Sequence, residues 1–361
     1  MGKKGKKGKG KGKKKGKGKA VGPPVSVLLD NYRYACSILG YDPDKQFVDE
    51  LEQLVAEGGH LTKIAFGERE LNPLGMRCII EGILGNMLPI GLDQQDSGMS
   101  GETYLNVGEI QIWKSNVGNG GLVAISKMLR VVHDKSFRLT VLDLMDNNIS
   151  ERGCVWLGQA LAEGANTTLK TLSLDHNHDI GDAGVKALCD GLRTNQTLQV
   201  LGLEFCGMGP HGARSIAQAI FSPTCAIQTL RLMGNKIHIH GLVSLGMALK
   251  RNSSIQILDI GDNEIGDYPC TDTDRHGLES FIACTAENQA LKAINLDLNF
   301  IGSSGYDILD DEQRSRMHPA LTKSLVYAAG MAPETVEGAT AGDGQSKKKK
   351  KGKGKKKKKK K

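Results

Sequence analysis

The chain has 361 residues, and its formal net charge of +8 conceals a sharp segregation. Eleven lysines and no acid lie within residues 1–20 and thirteen lysines within 347–361; subtracting these 24 charges from +8 leaves −16 for everything between. Composition therefore excludes a uniformly basic protein in favour of an acidic body with two basic ends. It also excludes a helical membrane span, since no apolar run approaches the roughly 18 residues required.

Residues 1–20 contain lysine and glycine almost exclusively, bury no apolar surface and are expected to form a disordered arm. No apolar stretch of a signal peptide follows, so the chain is expected inside the cell with its eight scattered cysteines reduced. In 21–60, SVLLDNYRYACSILG and PDKQFVDELEQLVAEGG read as two amphipathic helices, an N-terminal cap for whatever core follows.

A repeat occupies most of the remainder. LTVLDLMDNNI at 139–149 fits the pattern LxxLxLxxNxI, and the frame returns at Leu169, Leu198, Ile227, Ile255 and Leu291, in steps of 30, 29, 29, 28 and 36 residues. The long step is assigned to an insertion, YPCTDTDR at 268–275. Upstream, LTKIAFGEREL from Leu61 and VGEIQIWKSNV from Val107 fit more loosely, separated by 88–104.

Each unit continues with a glycine and apolar residues at helical spacing, such as Gly153, Val155, Leu157 and Leu161, then Gly184, Val185, Leu188 and Leu192. Asn166, Asn195, Asn252 and Asn288 stand three residues before the next strand, where an amide suits the turn. Three of them read as glycosylation sequons, but the repeat accounts for their position. Asn147, Asn177, Asn235, Asn263 and Asn299 are expected to form a ladder of turn amides in which Cys206 substitutes once. The expected order is arm 1–20, helical cap 21–60, solenoid 61–330, linker 331–346 and poly-lysine tail 347–361.

A strand-plus-helix unit of 28–30 residues resembles the ribonuclease-inhibitor type of leucine-rich repeat. The resemblance implies an α/β horseshoe solenoid of about eight repeats, with a parallel concave sheet and convex helices. Inhibitors, immune sensors, GTPase activators, actin cappers and ciliary scaffolds share that repeat, so it implies binding without naming a partner. No catalytic arginine motif of the GTPase activators stands out among Arg69, Arg77 and Arg130.

Chemistry-bearing motifs are absent from the sequence. The glycine-lysine start lacks the strand and the GK[ST] of a phosphate loop, and TDTD at 271–274 lacks the glycine and closing glutamate of a calcium loop. His176/His178 and His238/His240 read as exposed turn residues two units apart, too distant for shared coordination. Neither enzymatic activity nor a cofactor or metal is expected.

In LxxLxLxxN the fifth and seventh residues point away from the core and line the concave face. The fifth positions are Gln111, Asp143, Ser173, Gly202, Arg231, Asp259 and Asn295; the seventh are Trp113, Met145, Asp175, Glu204, Met233, Gly261 and Asp297. Five carboxylates against the single Arg231 predict a negative groove for a basic partner. Trp113, Met145 and Met233 are its apolar anchors.

The arms hold no aromatic residue for base stacking and recognise charge alone: acidic filament tails, RNA or an anionic membrane. The first functional expectation is an intracellular, cytoplasmic or cytoskeletal scaffold, with the cilium or flagellum as one such setting. Two alternatives are a nuclear or nucleolar RNA- or ribosome-associated factor, and a regulator of a small GTPase.

Overall fold

Leucine or isoleucine on alternate residues gives each strand one buried face, and the unit's length returns the next strand beside the last. In a computed structural model, residues 22–86, 99–131, 138–162, 164–266 and 271–299 are described. Eight strands form one parallel sheet in chain order: β1 (Lys63–Gly67), β2 (Glu109–Trp113), β3 (Val141–Asp143), β4 (Thr171–Ser173), β5 (Val200–Gly202), β6 (Thr229–Arg231), β7 (Ile257–Asp259) and β8 (Ala293–Asn295). The fold is an α/β solenoid. The lysine arms, the linker 331–346 and the part of the expected solenoid beyond Asn299 lie outside the described residues.

Helices α3 (Asn72–Leu84), α4 (Gly118–Val131), α5 (Glu151–Leu161), α6 (Gly181–Leu192), α7 (Pro210–Ile220), α8 (His238–Leu249) and α9 (Asp272–Thr285) alternate with the strands. Before β1 stand α1 (Val25–Leu39) and α2 (Lys45–Glu57). Tyr32 of α1 meets Phe47 of α2 edge-on at 5.2 Å between centroids, and Phe47 meets Phe66 of β1 at 5.3 Å. This aromatic chain runs the first core layer into the helices ahead of it.

The helix register differs from expectation in one unit. Val155 is 46% exposed, and Cys154, fully buried, takes the inward place that Val185 holds in the next unit. Cysteine served as the apolar residue there, and a pattern that counted only aliphatics slipped by one. The insertion also shrinks. Thr271 caps α9 through a capping box with Asp274, so 271–275 begin the helix; 267–270 lie outside the described residues.

Two amide ladders hold the units together. Asn177 Oδ1 accepts from the backbone N–H groups of Asn147 and Ile149, both at 3.0 Å, while its Nδ2 donates to Leu144 O (3.0 Å) and Leu174 O (2.8 Å). Asn235 and Asn299 repeat the scheme, and Asn263 keeps part of it, accepting from Ile237 N–H at 3.4 Å and donating to Leu232 O and Gly261 O. On the other edge Asn166, Asn195, Asn252 and Asn288 each donate to a carbonyl of the preceding unit and accept from the N–H three residues ahead. The sequon nitrogens are thus committed to buried hydrogen bonds.

Candidate functional site

Parallel pairing without slippage sets Gln111, Asp143, Ser173, Gly202, Arg231, Asp259 and Asn295 side by side across β2 to β8. The seventh-position residues follow two places on along each unit. Both rows face away from the leucine core, in which Leu142, Leu172, Leu201, Leu230 and Leu258 are at most 1% exposed.

The centre of the face is an ion cluster, and this changes the simple picture of a negative groove. Arg231 of β6 reaches past β5 to Asp175, placing Nη2 2.6 Å from Asp175 Oδ2, with Nε 3.3 Å from Glu204 Oε1. Gly202 of β5 is what permits the crossing, because a Cβ there would stand 2.6 Å from both the guanidinium and the Asp175 carboxylate. Asp175 is 5% exposed and also accepts from Ser173 Oγ (2.8 Å) and Glu204 N–H (2.9 Å). It is a structural anion, neutralised in place.

Asp143 and Asp259 are half-buried and take hydrogen bonds from neutral donors. Asp143 accepts from Met145 N–H (3.2 Å), and Asp259 from Gly261 N–H (3.1 Å) and Asn295 Nδ2 (2.9 Å). Burial pushes the Asp143 carboxyl up from its ordinary range. Burial, and then the charge of Asp175, push Glu204 up as well. Asp297 stands half-buried at the β8 end of the row.

Of the three residues expected as apolar anchors, Trp113 has a packing role that its own sequence does not announce. Its indole lies across Gly67 of the paired strand, where any Cβ would collide with the ring. Met145 and Met233 are half-buried without such a seat.

On the rim, His176 stacks on Phe205 at 4.7 Å, with His178 edge-on to His176. His238 and His240 do not lie in a turn as expected, because they form the first turn of α8. His238 Nδ1 is 3.2 Å from Glu264 O. Neither the stack nor the helix start was legible as an HxH pair.

A family model described as leucine-rich repeat matches residues 135–157, 165–189, 194–217 and 251–267. These are ribonuclease-inhibitor-type leucine-rich repeats. The ribonuclease inhibitor of Sus scrofa is 25% identical over 207 residues, covering 57% of this chain and 40% of that protein. The NACHT, LRR and PYD domains-containing protein 12 of Mus musculus is 31% identical over 144 residues, 40% of this chain and 14% of that one. The leucine-rich-repeat chain thus spans well under half the length of either. Among solved structures, leiomodin-1 actin-binding site 2 overlaps at a TM-score of 0.36 and 16% identity, over 46% of this chain and 87% of that one, from which no function follows. Leucine-rich repeats of this type form a protein-binding architecture.

Proposed function

We propose that the chain is an intracellular interaction scaffold whose concave face docks a basic protein surface while its lysine arms tether it to a polyanion such as a cytoskeletal or axonemal filament. The observation that carries the reading is the pair of rows across β2 to β8, in which five carboxylates accompany one guanidinium that is already spent on two of them. A face held open by strand pairing, with excess negative charge at its flanks, attracts and orients a basic partner. Met145 and Met233, beside the charged centre, supply adaptable apolar contact.

Fractionation of cells expressing the tagged full chain tests the tether. Detergent-resistant, nuclease-resistant retention that disappears when 1–20 and 347–361 are removed is the expected result. A nuclear pool released by nuclease would replace the filament with RNA.

A further inference from the structure

The convex side carries a second surface, unrelated to the concave rows. Between α7 and α8 lies an open cleft of about 790 Å³, walled by Phe221, Val243 and Met247 and bordered by Arg193, Arg214 and His240. Phe221 is 50% exposed and Met247 59%.

The repeat supplies its own reference for how unusual this is. Phe221 caps α7, and the residues capping α5, α6, α8 and α9 are Ala162, Arg193, Lys250 and Ala286. Met247 stands three residues before its cap, where α5, α6 and α7 carry Gln159, Asp190 and Gln218. The amide ladder is also interrupted here, since Thr224 occupies the place of Asn195 and Asn252. Large apolar side chains therefore replace small, polar or charged ones at two solvent-facing positions, where they serve no core.

The cleft's charge opposes that of the body. Arg193, Arg214 and Arg251, the last with its guanidinium 5.7 Å from the Phe221 ring centroid, form no ion pair among the described residues, and no acid lines the cleft. We infer that this cleft docks a short peptide segment of a partner protein in which a large apolar residue is flanked by aspartate or glutamate. Carboxylates meet the arginines while the apolar residue fills the space between Phe221 and Met247.

Two other occupants fit less well. A cleft open along its length leaves a small ligand mostly in water, whereas enclosed sites bury most of theirs. An anionic membrane or nucleic acid engages a wide surface, and here that surface belongs to a body of net charge −16 by the subtraction made from the sequence.

The test pans a random displayed-peptide library on the immobilised full chain and, in parallel, on full-chain Phe221→Ser/Met247→Gln. Both carry the lysine ends, so capture by those ends cancels. The expected result is enrichment, on the unaltered chain alone, of sequences with a large apolar residue beside acids. A synthesised winner should bind the double variant and Arg214→Glu at least about tenfold more weakly, with Arg214→Lys close to the unaltered chain. Matching melting temperatures exclude unfolding as the cause. Equal enrichment on both chains, or winners without carboxylates, overturns the inference. Phe221-dependent co-flotation with phosphatidylserine vesicles does so too, by assigning the cleft to a membrane.

Discussion

At Asn177 one amide serves four backbone groups of two units, and the residue is 2% exposed. Asn177→Ala strands those donors and acceptors in a dry turn and should cost about 3 kcal/mol, measured by chemical denaturation; a loss below about 1 kcal/mol would contradict the ladder. Cys206 offers the converse. Its Sγ reaches Leu174 O at 3.3 Å and Glu204 O at 3.5 Å but makes a weaker rung, so Cys206→Asn should stabilise by about 1 kcal/mol. The Arg231 cluster is tested by a cycle. Arg231→Met leaves Asp175 buried and charged, a loss of about 2 kcal/mol after discounting for an arginine side chain that is 38% exposed, and Asp175→Asn in the same chain should recover most of it.

Helices α5 and α6 approach backbone to backbone. A Cβ on Gly158 or Gly191 would strike carbonyl groups, Ala187 O for the first and Gly158 O for the second. Gly→Ala inside a helix ordinarily stabilises by up to about 1 kcal/mol, but the contact reverses the sign here. Gly191→Ala should destabilise by about 2 kcal/mol in a thermal melt, because two helix backbones must separate. The strand rows were legible in the sequence because a period of two leaves little choice of face. The helices were less so: Cys154 and Val155 are both apolar, and only packing decides which turns inward. Contacts between units were the least legible. Trp113 on Gly67 and Arg231 over Gly202 each depend on a glycine in a neighbouring repeat, and aligning the units column by column would have exposed both. The same columns would have shown Phe221 and Met247 as departures.

Across the whole molecule, the repeat makes a long surface of fixed register over which charge is segregated: carboxylates on the concave face, arginines with apolar residues at the α7–α8 cleft, and lysines at the two ends of the sequence. Because Asp143 and Glu204 hold raised pKa values, they protonate before an ordinary carboxylate as the solution is acidified. If the concave face docks a basic partner as proposed, binding should be strongest when both are ionised and should weaken as pH falls into the range just above about 4–4.5, where ordinary side-chain carboxylates titrate. The reading of the concave face rests on those charges being used. The most direct measurement is quantitative recovery of partners on the tagged full chain, on Asp143→Asn/Glu204→Gln/Asp259→Asn/Asp297→Asn, and on Phe221→Ser as a convex control. A set of basic proteins should be lost about tenfold or more with the concave variant and kept with the convex one. Equal recovery on the concave variant, with its fold intact, would contradict it.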